Sequence, residues 1–265
     1  MKKIFRLSII IAVVYIIIGI SFYLLQDVIL FHAKPLEKAY QFSFEQPFEE
    51  TNVDRGNRNL NFVKFKESST RKGIVIYFHG NRRNIERYAR FTPTFTKHGY
   101  EVWMPDYPGF GKSTGKRTEQ IMYNDATYLY SLALIEVPAE NIVIYGKSIG
   151  TGVASFLAAN QKSKLLILET PYYSISELVK HYMPVYPVDI LLKYKFPIFD
   201  NLKKVDEPIL MFHGTEDEVI PFKQAIKLKQ ENEKAELILI EKGKHNTLPQ
   251  HPPFIKALDS VLVKI

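Results

Sequence analysis

The chain has 265 residues, of which 46% are hydrophobic and 24% charged, and its net charge is +7. This length and composition fit a globular protein with a substantial core. The absence of cysteine excludes disulfides, thiolate metal sites, a cysteine nucleophile and a lipid-modified N-terminal cysteine. The basic runs are no longer than pairs and no nucleic-acid-binding motif is present, so we expect no nucleic-acid partner.

The first 26 residues have the pattern of a membrane anchor. Lys2, Lys3 and Arg6 precede an uncharged, apolar stretch that covers residues 7–26. About 20 apolar residues suffice for a helix to cross a bilayer. A cleaved signal peptide is the alternative, but its apolar region is usually about 7–15 residues long and ends at a small-x-small site, which this sequence lacks. We predict an uncleaved signal anchor, with residues 1–26 forming a cytoplasmic tip and one transmembrane helix.

The charges that flank this helix indicate its orientation. Three basic residues precede it, whereas Lys34 and Lys38 follow it. Because basic flanks favour the cytoplasmic side, we expect a single-pass protein of the cell membrane. Its residues 27–265 would then form one domain on the extracytoplasmic (periplasmic) side.

Strand-like and helix-like stretches alternate along this domain. Residues 27–50 are too aromatic for a flexible linker and are expected to pack as an edge segment. The alternation predicts a mostly parallel α/β sheet, whose functional loops lie at the carboxyl ends of the strands. Strand-like stretches are 60–66, 73–80, the start of 100–115, 141–145, 164–169, 208–213 and 235–241; helix-like stretches are 84–99, 117–135, 149–160, 221–232 and 252–264.

Two parts of the chain depart from this regular pattern. In the helix-like stretch 84–99, Asn84 is a suitable N-cap, but Pro93 leaves the middle of the helix uncertain. Residues 171–206 are rich in Tyr, Phe and Pro and contain two short helix-like pieces, 175–183 and 188–194. We interpret 171–206 as a small cap over the functional edge of the sheet.

The pentapeptide GKSIG, residues 146–150, joins a strand-like stretch to a helix-like one. This is the context of a nucleophile elbow, in which small neighbours let a serine adopt a strained backbone and project its hydroxyl above the sheet. The motif alone is weak, because a serine at the start of a helix also serves as an ordinary cap. Ser148 is therefore a candidate nucleophile that needs partners.

The base that accepts the serine proton must come from another part of the chain. His245 follows the last strand-like stretch, in EKGKHN, so the loop after that strand would bring it to the edge that carries Ser148. His79 and His213 fit less well because each directly precedes a glycine at a strand end.

A third group must orient the imidazole. Asp217 follows a strand in HGTEDEVIP, with Glu216 and Glu218 as alternatives that spacing alone does not separate. With Asp217, the order Ser148, Asp217, His245 is the one expected of an α/β-hydrolase.

Catalysis by a serine also needs donors for the oxyanion of the tetrahedral intermediate. The sequence HGN ends the first strong strand, and Gly80 lets the backbone turn so that the Asn81 N–H points into the site. The Ile149 N–H, next to the serine, is the second expected donor.

These motifs together resemble one group of enzymes. HGN, DYPGFGKSTG, GKSIG, HGTEDEVIP and GKHN occur in the order and spacing of the membrane-anchored, serine-aminopeptidase-like α/β-hydrolases, and the resemblance covers about residues 25–265. It implies an eight-stranded sheet flanked by helices and assigns the acid to Asp217. Asp106 and Gly109 match a structural turn, in which Pro108 stands where the group usually has Arg.

The resemblance implies a serine hydrolase that cleaves an ester-type bond, a carboxylic ester or a thioester, through an acyl-serine and without metal or cofactor. A small-molecule or lipid acyl substrate is expected, which the cap would bind unless its aromatic side chains only pack the cap onto the body. The alternatives are a serine peptidase or aminopeptidase, an acyltransferase, and a non-catalytic membrane-anchored binding protein. The expected pocket residues are Tyr172, Tyr173, Tyr182 and Met183.

Overall fold

The computed structural model describes residues 2–66 and 71–265. Eight strands form one sheet with the spatial order β1-β2-β4-β3-β5-β6-β7-β8. The strands from β4 to β8 along this order are parallel, whereas β1 and β2 pair antiparallel at one edge. The strands are β1 (Phe48–Asp54), β2 (Asn59–Phe65), β3 (Gly73–Phe78), β4 (Tyr100–Pro105), β5 (Ile142–Lys147), β6 (Leu165–Glu169), β7 (Ile209–Gly214) and β8 (Ala235–Ile240). The predicted α/β-hydrolase architecture is confirmed.

Helices cover both faces of this sheet. The α-helices are α1 (Lys2–Leu30), α2 (Ile85–Tyr88), α3 (Pro93–Thr96), α4 (Glu119–Glu136), α5 (Gly150–Asn160), α6 (Ile175–Tyr182), α7 (Val188–Leu191), α8 (Ile198–Leu202), α9 (Lys223–Lys229) and α10 (Pro252–Lys264), and 3-10 turns span Ala89–Phe91, Ala139–Asn141 and Leu248–Gln250.

Alternate side chains of the central strands enter two separate cores. In β3, Ile74 and Ile76 face the core beneath α4, α5 and the cap, whereas Val75 and Tyr77 face the core beneath α10. All six residues of β3 are buried. A strand buried on both faces has no polar face, which explains why its sequence is a continuous apolar run.

Three predicted elements differ from the observed ones. The stretch 84–99 is not one helix: it breaks into α2, a 3-10 turn and α3, because Pro93 starts a new helix at its first position. Asn84 does cap α2, as its side chain accepts from the Glu86 N–H at 3.1 Å. Strand β1 starts at Phe48, near the end of the expected edge segment 27–50, and the cap contains a third helix, α8; the sequence pattern indicated neither.

Helix α1 is long and apolar enough to cross a membrane by length and composition. Its mean hydropathy over the most apolar window is 2.6, and only 11% of that window is buried by the protein. At about 1.5 Å per residue, its 29 residues extend about 44 Å, more than the roughly 30 Å of bilayer hydrocarbon. The helix is therefore longer than a bilayer core requires, and its second half has residues, Phe22 and Gln26, that are buried against the globular domain.

The N-cap residue of α4, Thr118, provides a test of the local fold. The Thr118 hydroxyl accepts from the Ile121 N–H at 3.1 Å, so Thr118→Ala should lower the free energy of unfolding by about 1 kcal/mol. Thr127→Ala in the same helix is the control, since its hydroxyl only bonds the Tyr123 carbonyl one turn back and should have little effect or stabilise. Urea unfolding of the two detergent-solubilised variants measures this; equal midpoints would contradict the capping role.

Candidate active site

The turn between β5 and α5 holds Ser148 in a strained conformation. Ser148 has φ of +53°, in the left-handed region, and its N–H donates to the Glu169 carbonyl at 2.9 Å. A Cβ added to Gly146 would lie 2.7 Å from the Ala154 Cβ, and one added to Gly150 would lie 2.2 Å from the Phe78 carbonyl oxygen. Both glycines are thus required by space, and the turn has the geometry expected of a nucleophile elbow.

Loops from three strands bring Ser148, His245 and Asp217 together. The His245 Nε2 lies 2.9 Å from the Ser148 Oγ, and its Nδ1 lies 2.8 Å from the Asp217 Oδ2. Ser148 and His245 are 8% and 6% exposed. Of the two alternative acids, Glu218 meets His245 at the backbone N–H, at 3.3 Å, and not at the imidazole, and Glu216 is exposed. The imidazole thus bridges the serine and one carboxylate.

Other groups besides His245 hold the Asp217 carboxylate in place. Its Oδ1 accepts from the Val219 and Ile220 N–H groups at 2.9 and 2.8 Å, and the His213 Nε2 lies 3.2 Å from its Oδ2. Burial alone would raise the pKa of this carboxyl, but hydrogen bonds from His213 and His245 together hold the pKa well below its usual range. Asp217 is therefore ionised and fixed in orientation.

His213 is a residue that the sequence reasoning set aside. It is fully buried at the end of β7, and its Nε2 also lies 2.8 Å from the Ile220 carbonyl. This contact fixes the turn that carries Asp217. The sequence feature that could have identified His213 is its position at the end of β7, four residues before Asp217.

Asn81 and Ile149 lie beside Ser148. Within residues 2–66 and 71–265, neither backbone N–H donates to a protein acceptor, and both residues line the cavity that Ser148 enters. The Asn81 loop is itself anchored: its carbonyl accepts from the His32 N–H at 2.8 Å, and its side chain donates to the Leu30 carbonyl at 2.9 Å. Two donors next to the serine are thus available to a substrate oxygen.

A cavity of about 440 Å³ opens from Ser148 towards the cap, and its walls are mainly apolar. Three of the four predicted pocket residues, Tyr172, Tyr182 and Met183, line it. Tyr173 does not line this cavity: its ring stacks on Phe199 and its hydroxyl donates to Glu231. Other walls come from α6, from the loop after β7 and, unexpectedly, from α1, through Ile175, Leu178, Val179, Val219, Ile220, Phe22, Ile29 and Leu30.

A second cavity of about 190 Å³ adjoins the first, with which it shares Ile29, Asn81, Ser148 and Val219, and its lining is more polar. The polar side chains that line it are His32, Arg82, Tyr88, Lys147 and Asn246. Ser148 thus lines both a large apolar cavity and a smaller, more polar one.

A buried ion pair supports the elbow from below. The Lys147 ammonium contacts the Glu169 carboxylate, which also accepts from the Tyr145 hydroxyl, and Lys147 and Glu169 are 3% and 1% exposed. Lys147 belongs to the GKSIG motif, but its partner lies 22 residues away on β6, so the sequence pattern does not indicate this pair.

The HGN and DYPGFG turns are joined by a buried contact between His79 and Asp106. The His79 Nε2 lies 3.1 Å from the Asp106 Oδ1, which also accepts from the Ile85 N–H at 3.1 Å. Gly109 has φ of +84°. These contacts fit the structural role expected of Asp106 and Gly109, and Pro108 in the same turn leaves them intact.

Comparisons with known proteins agree with this geometry. Residues 69–197 match the family model described as "Serine aminopeptidase, S33". The human alpha/beta hydrolase domain-containing protein 17B is 30% identical over 213 residues, which cover 78% of this chain and 72% of that protein. The mouse alpha/beta hydrolase domain-containing protein 17C is 29% identical over 202 residues, which cover 74% of this chain and 61% of that protein.

Solved structures share the fold at low sequence identity. An esterase from Pyrococcus furiosus has a TM-score of 0.64 and 16% identity, covering 89% of this chain and 97% of that one. A soluble variant of monoglyceride lipase from Saccharomyces cerevisiae, in complex with a substrate analog, has a TM-score of 0.65 and 16% identity, covering 86% and 99%.

The Lys147–Glu169 pair gives a prediction about stability. Glu169→Gln leaves a buried ammonium without its counter-charge and should destabilise the fold by about 3 kcal/mol. The double variant Lys147→Met/Glu169→Gln removes both charges and should recover part of that loss. Urea unfolding compares the two; a double variant no more stable than the single one would show that the pair does not act through charge.

Proposed function

Since the chain belongs to the α/β-hydrolase superfamily and is a hydrolase, we propose that it cleaves a carboxylic ester or thioester through an acyl-enzyme on Ser148. The observation that carries this proposal is the hydrogen-bonded series Ser148–His245–Asp217, with separations of 2.9 and 2.8 Å. The loss of either of these two contacts would leave the serine a poor nucleophile.

The proposed reaction has two halves. In the first, the His245 Nε2 takes the Ser148 proton while the Oγ–carbon bond forms, and the imidazolium then protonates the leaving alcohol or thiol as its bond to carbon breaks. In the second, His245 deprotonates a water that attacks the acyl-serine, and the carboxylic acid leaves as Ser148 regains its proton. The Asn81 and Ile149 N–H groups would bind the oxyanion in both halves.

The two cavities support one orientation of the ester at Ser148, with the acyl chain in one cavity and the leaving group in the other. The apolar cavity suits an acyl chain, because its walls are aliphatic and aromatic side chains. The second, more polar cavity suits the leaving group. With α1 as a single-pass anchor and the domain on the extracytoplasmic side, a lipid or lipidated ester would be within reach.

An aminopeptidase is the second candidate, because the matching family model is described as a serine aminopeptidase. Glu218 lines the apolar cavity and offers a carboxylate to a substrate ammonium. A p-nitrophenyl ester and an aminoacyl p-nitroanilide, assayed side by side, separate the two candidates: faster turnover of the anilide would favour the peptidase. Added alcohol acceptors test for acyl transfer in the same assay.

The nucleophile is tested by covalent labelling. A fluorophosphonate probe should label the wild-type chain and fail to label Ser148→Ala, because the probe bonds to an activated serine. Ser131→Ala, an exposed serine on α4, is the control and should label normally. In-gel fluorescence of the solubilised proteins measures this, and equal labelling of Ser148→Ala would reject the assignment.

The orienting acid is tested by comparing neighbouring carboxylates. Asp217→Asn should lower kcat by about 10⁴-fold, since the amide no longer fixes the imidazole tautomer. Glu216→Gln changes an exposed neighbour and should keep the wild-type rate. The low pKa of Asp217 means that its carboxylate is already ionised at and above its usual titration range, so the deficit of Asp217→Asn should persist from pH 5 to pH 9. A deficit that disappears with pH would contradict the assignment.

A further inference from the structure

The end of the N-terminal helix is built into the globular domain. Gln26 lies in the apolar helix α1 yet is fully buried: its Nε2 donates to the Leu191 carbonyl at 2.7 Å, and its Oε1 accepts from the Lys193 N–H at 2.8 Å. The next residue, Asp27, accepts from the Tyr194 hydroxyl at 2.5 Å. A buried amide with both ends satisfied fixes the rotation and height of the helix against the cap.

This fixed rotation turns three apolar residues of α1 towards the serine. Phe22, Ile29 and Leu30 line the same cavity as Ser148, opposite Tyr182 and Met183 of the cap. Phe22 is only 7% exposed, although it lies in a stretch whose other large side chains are mostly exposed. One face of the helix thus belongs to the cavity, and the other faces are left for lipid.

The chain that follows α1 holds the oxyanion loop. The Leu30 carbonyl accepts from the Asn81 side chain, and His32 and Ala33 pair in parallel with Arg82 and Arg83. Movement of the helix end would therefore move Asn81.

The cap reaches back along α1 into its apolar part. The Tyr15 ring stacks on Tyr186 at 4.5 Å between centroids, and its hydroxyl donates to the Val185 carbonyl at 2.9 Å. Beside these contacts, Val185 and Ile190 are 71% and 82% exposed. Because Tyr15 lies inside the stretch 7–26, an edge of the cap meets the bilayer wherever α1 crosses it.

We propose that α1 is a working part of the active site and not only a tether: Phe22 and Ile29 form the wall that selects the acyl chain, and the chain enters the cavity from the bilayer between α1 and the cap. The proposal rests on the proposed ester hydrolysis and names its substrate class as an ester with a long acyl chain embedded in a membrane. An acyl chain that follows this route never crosses water.

The acyl wall is tested on the full-length chain with p-nitrophenyl esters of 4 and 16 carbons. Ile29→Trp fills the apolar cavity and should lower the ratio of kcat/KM for the long over the short ester by about tenfold or more. Ile29 also lines the second cavity, but both esters have the same leaving group, so that contact cancels in the ratio. Phe22→Ala enlarges the cavity and should shift the ratio the other way. Leu25→Trp, on an exposed face of the same helix, is the matched control and should keep the wild-type ratio. The proposed wall is rejected if Ile29→Trp loses kcat/KM equally on both esters, or if Leu25→Trp changes the ratio as much as Ile29→Trp does.

Failure of the proposed ester hydrolysis can be distinguished from failure of the proposed acyl-chain wall. A wild-type chain inactive on every ester rejects that function. Binding of a fluorescent 16-carbon fatty acid to the same variants then decides the wall without turnover: weaker binding in Ile29→Trp but not in Leu25→Trp supports it, and equal binding in all variants overturns it.

The entry route is tested at the exposed edge of the cap. Ile190→Asp places a charge at the bilayer surface and should lower the rate on a 16-carbon ester embedded in phosphatidylcholine vesicles about tenfold relative to the water-soluble 4-carbon ester. Ile135→Asp is the matched control, since Ile135 is equally exposed, at 81%, but lies at the end of α4. Equal ratios in the two variants overturn entry from the bilayer.

Discussion

The left-handed backbone at Ser148 is the constraint on which the rest of the site depends. A residue with a side chain adopts this conformation only when its surroundings enforce it. Here β5, buried on both faces, supplies the incoming direction, and the close packing of Gly146 and Gly150 leaves no other path into α5. The Ser148 N–H bond to the Glu169 carbonyl on β6 fixes the turn from the side. The hydroxyl then stands above the carboxyl edge of the sheet, where the loops after β7 and β8 bring Asp217 and His245.

The sheet and this edge were predictable because both follow from local patterns. Strands buried on two faces are continuous apolar runs, and parallel strands send their loops to one edge, so the order Ser148, Asp217, His245 implied proximity. The choice of Asp217 over Glu216 and Glu218 was different, since all three lie in one short loop and the residues alone left them open. In the structure, Asp217 is the one of the three that meets the Nδ1 of His245.

The missed features depend on contacts between distant residues. His213 supports Asp217 only because the turn after β7 folds back over it, and Lys147 is neutralised by a residue on another strand. Tyr173 and Tyr172 are adjacent in sequence, yet one faces Phe199 and the other the cavity. The cap helices are so short that the helical repeat of apolar residues, every three to four positions, cannot show which side chains face the cavity and which face away from it.

Helix α1 extends this argument to the N-terminal segment. Phe22, Ile29 and Leu30 have the same chemistry as the exposed apolar residues around them, so composition alone predicts an anchor along the whole stretch. Gln26 is the exception, because an amide in an apolar helix needs partners, and it finds them on the cap. Those contacts select which face of the helix meets the cavity. The polar residue, and not the apolar ones, therefore shows that α1 and the globular domain form one unit.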